Sequence, residues 1–302
     1  MVKLRMAAAA VAAACLAGAC GPVGQDAPGG SALQVVAGQN FWGSIASQLG
    51  GGRANVQSVV SDPNADPHEY ESNTNDARAF ATADLVVLNG AGYDGWGRKL
   101  LDASPNAKRK VLVVADLLGK RSGDNPHFWY SPDYVIRVAD AITAGYKSLD
   151  PGDSSYFDQQ RSAFTVSLQP YTRRLTELRS KFAGVAVGAT ESIFVYMAQY
   201  LGLDLISPPE FMQAVAEGND PPANTVAVFQ SQIATRAIKV LVFNVQTATA
   251  VTDNLKIQAT QQGIPVVGVS ETLQPESATF QEWQDSQLIA LDNALDAGAL
   301  VK

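Results

Sequence analysis

From Leu33 onward the chain alternates short β-rich runs with stretches of helical period. LQVVAG, VQSVV, DLVVLNG and KVLVVADL read as strands, with helices at FWGSIASQLG and around Asp76 to Ala81. Runs that are apolar at almost every position suit a parallel sheet covered on both faces, so this rhythm predicts an α/β lobe. Ser131–Pro132 opens a further helix, because a serine side chain caps free N–H groups and proline fits the first helical position. Phe157, Phe164, Leu168, Tyr171, Leu175, Leu178 and Phe182 then recur at spacings of three, four and seven. They form one stripe on a helix from about Ser154 to Lys181, roughly 40 Å long at ~1.5 Å per residue. Pro170 lies inside that helix and is expected to bend it or interrupt its bonding. Beyond it, strands at VAVGA, KVLVFNV and PVVGVS alternate with helical patterns from Ile193 to Tyr200 and from Ala248 to Gln262. A last helix carries Trp283, Leu288 and Leu295. The expected fold is α/β in two lobes, residues 32–150 and 184–302, each a mostly parallel sheet flanked by helices, joined by the long helix at 151–183. Ligands of open α/β sheets bind beyond the carboxyl ends of the strands, which points to the cleft between the lobes.

The first residues follow another pattern. Lys3 and Arg5 precede an uncharged run, MAAAAVAAACLA, which is far shorter than the roughly 20 apolar residues of a spanning helix. Residues 1–19 therefore read as a signal peptide. The sequence LAGAC resembles the lipobox of bacterial lipoproteins, with Ala17 in place of the usual aliphatic residue, which would make Cys20 the acylated first residue of the mature chain. Cys15 would leave with the leader, so no disulfide is expected. GPVGQDAPGGS, within residues 20–31, has no periodic apolar pattern and reads as a flexible tether. Removing Lys3 and Arg5 from the 22 basic residues leaves 20 against 29 acidic ones, a formal −9. That balance disfavours nucleic acid and favours a cationic cargo.

The sequence holds only two histidines, His68 in SDPNADPHEYE and His127 in GDNPHFWYSP. Each follows a proline in a polar loop downstream of a strand, and the shared setting sets the pair apart from ordinary surface histidines. A preceding proline restricts the loop and lowers the entropy lost in holding an imidazole in place. DPHEYE, ADLVVLNGAGYDGW and NPHFWYSP resemble the metal-binding lipoproteins of the zinc/manganese/iron class of ABC importers. The likeness runs over essentially the whole chain after the tether, including the long helix and GIPVVGVSETL.

That resemblance implies a solute-binding protein that captures a divalent transition metal outside the membrane, with two ligands from each lobe. Carried over by position, the N-terminal pair is His68 and His127. The C-terminal lobe has no histidine, so its ligands would be oxygen donors. VAVGATESIFVYMAQYLGL resembles the family segment holding a third ligand, His or Glu, and Glu191 stands there. At the fourth position the family generally has Asp, whereas this chain has Glu271. The additional methylene moves the carboxylate outward, leaving bidentate reach or a water bridge open, with Glu276 and Asp253 as substitutes. Two neutral imidazoles and two carboxylates would match the charge of a divalent ion. Glu191 in place of a third histidine, and the absence of a His-rich loop, tilt the set toward six-coordinate Mn. Zn nevertheless outranks Mn at most N/O sites, so Mn and Zn both stay open, with Fe as a third cargo. Glu69, Asp66, Asn125 and Asn244 are candidates to orient these ligands, while Trp129, Tyr130, Phe41 and Trp42 are expected to pack beneath them.

A metal-dependent hydrolase would need an open coordination position and a general base, and no H-E-x-x-H occurs. A surface adhesin finds no supporting patch. GYDGWGRK has Arg and Lys where a phosphate loop needs Lys and Ser or Thr, so ATP use by this chain is not expected. The expectation is a non-enzymatic, monomeric, lipid-anchored extracytoplasmic protein. It would meet the bilayer through Cys20 and deliver its ion to a membrane permease with its ATPase, with modest closure limited by the long helix.

Overall fold

The computed structural model describes residues 31–300 apart from Ala65, and for Leu300 the backbone alone. The expected signal peptide, Cys20 and the tether up to residue 30 lie outside the described residues. In the first sheet β1 (Leu33–Gln39), β2 (Ala54–Val60), β3 (Leu85–Leu88) and β4 (Lys110–Val113) stand in the order β2-β1-β3-β4. In the second, β5 (Ala186–Ala189), β6 (Asp204–Leu205), β7 (Leu241–Asn244) and β8 (Val266–Val269) stand as β6-β5-β7-β8. Every pairing is parallel. The two lobes thus share one topology, a repeat that the sequence does not display. In each, the chain lays its second strand on one side of the first and then crosses to the other side. The switch points fall between β1 and β3 and between β5 and β7, where a crevice opens.

β3 and β7 are buried at every residue, as expected of parallel strands covered on both faces, whereas edge strand β2 alternates. KVLVVADL is only half strand. β4 ends at Val113, and Val114–Leu118 closes into a short helix stopped by Gly119 at φ 70°. Ser131 caps the helix Pro132–Leu149 through the N–H of Tyr134, with Pro132 at its first position. The helices Gly95–Ala103, Pro209–Ala216 and Ala223–Ala234 and the two-residue strand β6 were not foreseen in the sequence.

The long helix is two helices, Ser154–Ser167 and Gln169–Phe182, with Leu168 between them. Pro170 sits in the first turn of the second, where its missing N–H costs no intrahelical bond. The apolar stripe survives the interruption: Phe157, Phe164, Leu168, Tyr171, Leu175, Leu178 and Phe182 are all buried. The last helix, Phe280–Leu300, is a second element reaching both lobes. It begins against the first, where Ser44 Oγ accepts the N–H of Phe280 at 2.9 Å and Gln281 donates to Gln48 at 2.8 Å. It then runs beside Gln169–Phe182, tied by Arg174 to Asp285 and by Lys181 to Asp296, both at 2.6 Å. Solvent screens exposed ion pairs of this kind, so the buried stripe stabilises this packing more than they do. No helix among the described residues is long and apolar enough to cross a membrane.

Leu175→Ala, at a fully buried position, should cost about 2–4 kcal/mol in urea denaturation. Val166→Ala, at 60% exposure on the same segment, should cost less than about 0.5 kcal/mol. Equal costs would contradict the assignment of the buried face.

Candidate metal centre

Four loops bring His68, His127, Glu191 and Glu271 to the carboxyl ends of the strands. His68 follows β2, in a single 3-10 turn, Pro67–Glu69, whose start is fixed because Asp66 Oδ1 accepts the N–H of His68 at 2.9 Å. His127 follows β4 and its short helix. Asn125 Oδ1 accepts the backbone N–H of His127 at 3.0 Å and lies 2.7 Å from its Nδ1. Asn125 Nδ2 donates to the carbonyl of Ser192 at 2.7 Å, which fixes the amide so that its oxygen faces the imidazole. Nδ1 of His127 therefore carries the proton, and Nε2 is the nitrogen left with a free lone pair. The Pro126 carbonyl accepts from Asn89 Nδ2 at 2.9 Å, and Asn89 Oδ1 accepts from Trp42 Nε1 at 3.0 Å, so the loop is pinned to the first lobe's core.

In the second lobe Glu191 follows β5 at the start of the turn Ser192–Phe194 and accepts the N–H of Ile193 at 3.0 Å. Capping and facing the site are thus compatible, because each role uses a different carboxylate oxygen. Glu271 follows β8. Its backbone N–H donates to Gln246 Oε1 at 2.6 Å, and the preceding Ser270 is held by Gln287 and Tyr130.

The four side chains converge. His68 Nε2 lies 3.3 Å from Glu271 Oε2, and His127 Nε2 lies 3.7 Å from both Glu271 Oε2 and Glu191 Oε1. His68, His127 and Glu271 each offer a donor atom within 4.8 Å of the other two. Both Nε2 atoms are buried and make no hydrogen bond. Donors placed tetrahedrally at ~2.1 Å from an ion stand about 3.4 Å apart, a spacing that His68, His127 and Glu271 approach, whereas Glu191 stands outside this group of three and reaches it through His127 Nε2. Glu276 lines a separate groove and Asp253 is exposed in a helix, so neither substitute reaches the cluster. Glu69 is exposed as well. Asn244, the last residue of β7, donates to Glu191 Oε2 at 3.1 Å and to Glu271 Oε1 at 2.9 Å.

Tyr93, which sequence reasoning missed, donates from its hydroxyl to Glu271 Oε2 at 2.6 Å. Its signal lay in the NGAGYD loop. Gly90 adopts φ 79°, where a Cβ would also meet Ala115 and Val113 at 2.7 Å, and Ala91 sits at φ 55°. Such a left-handed run aims a side chain. Tyr130, Phe41, Trp42 and Trp129 are buried beneath the site, with Phe41 stacked on Trp129 at 3.9 Å.

Burial alone would lower the His68 pKa, but the carboxylates of Glu271, Glu191 and Asp66 raise it to about 9. Burial alone would raise the Glu271 carboxyl, yet the two imidazoles hold it well below the ordinary carboxylate range. Burial, reinforced by the adjacent Glu271 carboxylate, pushes the Tyr93 hydroxyl far up, so it stays a donor. The site reaches solvent on one side only. His68 is 20% exposed and borders a cavity of about 590 Å³ lined also by Tyr93, Asn125, Ser192 and Met212, whereas the other three side chains are fully buried.

Two parallel-sheet lobes with a nitrogen and oxygen donor cluster at their strand ends define a two-lobed α/β fold with its candidate site in the cleft. The chain belongs to the ZnuA family, described as zinc-uptake complex component A, periplasmic, whose model matches residues 35–294. The manganese ABC transporter substrate-binding lipoprotein PsaA of Streptococcus mitis is 25% identical over 203 residues, 61% of this chain and 64% of that protein. The aligned stretch therefore spans less than two thirds of that relative's length. The zinc-binding lipoprotein AdcA of Streptococcus pneumoniae is 22% identical over 233 residues, 71% of this chain and 46% of that protein. The fold matches that of the periplasmic zinc binding protein TroA from Treponema pallidum with a TM-score of 0.73. That match covers 88% of this chain and 99% of TroA at 16% identity.

The raised His68 pKa has a definite sign for stability. A folded value of about 9 against 6.5 unfolded stabilises the metal-free fold fully below pH 6.5 and is lost as pH rises through 9. Metal-free protein should lose on the order of 2–3 kcal/mol more than His68→Gln between pH 6.5 and 9.5. Parallel pH profiles of the two in chemical denaturation would contradict the ion pair.

Proposed function

We propose that this protein is the extracytoplasmic solute-binding component of an ABC importer, capturing a divalent transition metal, Zn or Mn, through His68, His127, Glu191 and Glu271. The observation that carries the reading is the pair of buried Nε2 atoms, neither making a hydrogen bond among the described residues, that face two buried carboxylates at 3.3–3.7 Å. Neutral imidazoles with carboxylates suit first-row divalent ions, and a net −2 from the two acids balances the charge that an ion brings out of water. Four protein donors fill a coordination shell and leave no position for a reacting water, which supports binding over hydrolysis. Membership of the ZnuA family and the metal-transport names of its relatives support the same reading.

The two lobes, at 32–150 and 184–302, hold the ion between them and present it to a membrane permease driven by a separate ATPase. Cys20 anchors the chain to the outer face of the cell membrane, and the protein acts as a monomer. Entry is past the exposed edge of His68. Because Asn125 joins Ser192 and Tyr196 across the cleft, and two helical elements span both lobes, capture involves modest closure.

Competitive titration with Zn(II) and Mn(II) tests this directly: His127→Ala and Glu271→Ala should each weaken binding at least ~100-fold. Unchanged affinity in either variant removes that residue from the ligand set. Since His68 holds a proton up to about pH 9, metal binding at pH 7.5 should release about one proton, read from calorimetry in buffers of different ionisation enthalpy. Release should vanish in His68→Gln, and release that persists there would contradict His68 as its source.

A further inference from the structure

The carboxylate oxygens of this centre are not equally free to hold an ion. Glu191 Oε2 accepts two N–H groups, from Ile193 at 3.0 Å and from Asn244 Nδ2 at 3.1 Å, which occupy both of its lone pairs. Glu191 Oε1 accepts only Ser192 Oγ, at 2.9 Å, and is the oxygen 3.7 Å from His127 Nε2. Asn244 gives its other amide hydrogen to Glu271 Oε1 at 2.9 Å. Glu271 Oε2 is then the oxygen turned to the two imidazoles, at 3.3 and 3.7 Å, with Tyr93 taking one of its lone pairs.

Asn244 cannot relax from this arrangement by an amide flip. Its Oδ1 accepts the N–H of Gln246 at 3.1 Å, so the NH₂ group has to face the acids. Its own backbone N–H is bound to Thr190 Oγ1 at 3.2 Å, at the end of a fully buried strand. One rigid amide therefore holds one oxygen of each carboxylate.

We infer that Asn244 sets the coordination number of the bound ion, keeping Glu191 Oε2 and Glu271 Oε1 out of its shell so that the site selects four-coordinate Zn(II) over six-coordinate Mn(II). The inference rests on the metal-binding reading and deepens it. Two imidazole nitrogens and two single oxygens make the tetrahedral set that zinc prefers; the His68–Glu271, His127–Glu271 and His127–Glu191 separations of 3.3–3.7 Å suit it, and Glu191 Oε1 has to move toward His68 and Glu271 to complete it. A six-coordinate Mn ion held by these four side chains alone would need both acids to bind through both oxygens, and Glu191 Oε2 has no lone pair left for that. Asn244 is a positioning residue, since it acts on the ion through the acids.

Affinity order alone does not test this, because Zn outranks Mn at most N/O sites. Coordination number does. Full-length protein loaded with Co(II) should show the intense visible absorption of a four-coordinate ion. In Asn244→Leu, which keeps the branched side-chain shape and removes both donors, that absorption should weaken several-fold, and the Zn/Mn affinity ratio should fall at least ~10-fold. A weak, six-coordinate type of spectrum in the wild type overturns the inference even if the variant fails to fold. A folded variant with unchanged spectrum and unchanged Zn/Mn ratio overturns it too. Wild-type protein that binds none of the three ions would instead overturn the metal-binding reading, and this inference with it.

Discussion

Glu191 and Glu271 are both fully buried and both within 3.7 Å of the same imidazole nitrogen, so the fold has to hold two acids together where little water can screen them. Uncompensated, such a pair would be expelled or protonated. The compensation comes from groups fixed by other needs of the fold. The Ile193 N–H belongs to a turn, the Asn244 amide ends a central strand, the Tyr93 hydroxyl hangs from a strained loop, and His68 carries a proton. These donors are in place before any ion arrives, so binding has little reorganisation to oppose it. An ion that replaced the His68 proton would take over a position the protein has already made favourable for positive charge.

The two sheets make this possible by symmetry of topology. In each lobe the strand order turns back beside the first strand, and the chain leaves the sheet there with its loop facing the cleft. One histidine follows an edge strand of the first lobe and the other follows its opposite edge, while the acids follow an inner and an edge strand of the second. No single element carries two of the four groups. Their convergence therefore depends on the lobes staying in register, which the helices Ser154–Ser167, Gln169–Phe182 and Phe280–Leu300 help to secure.

Much of this was legible in the chain. The apolar runs of β3 and β7 and the stripe from Phe157 to Phe182 report burial directly, because burial is what selects those residues. The histidines were legible because there are only two and their prolines repeat. Glu191 and Glu271 needed the resemblance, since an acid after a strand is usually a solvated one. What stayed hidden depends on three-dimensional pairing. Asn244 was a candidate, but that its amide spans two acids 53 and 27 residues away has no local signature. The same holds for Tyr93 and Glu271, 178 residues apart. The sequence left bidentate reach and a water bridge both open for Glu271, and it carried no sign of the hydrogen bonds that these carboxylate oxygens accept. The helix Pro209–Ala216 escaped because it is only about two turns long, and Ala223–Ala234 because its apolar residues follow the helical period weakly.

The central claim is that imidazoles from one lobe and carboxylates from the other close on a single ion. Anomalous diffraction from crystals of the metal-loaded protein, recorded on either side of the metal's absorption edge, tests it most directly. One peak is expected, at about 2.0–2.2 Å from His68 Nε2, His127 Nε2, Glu191 Oε1 and Glu271 Oε2. A peak elsewhere, or one held by a single lobe, would contradict the account.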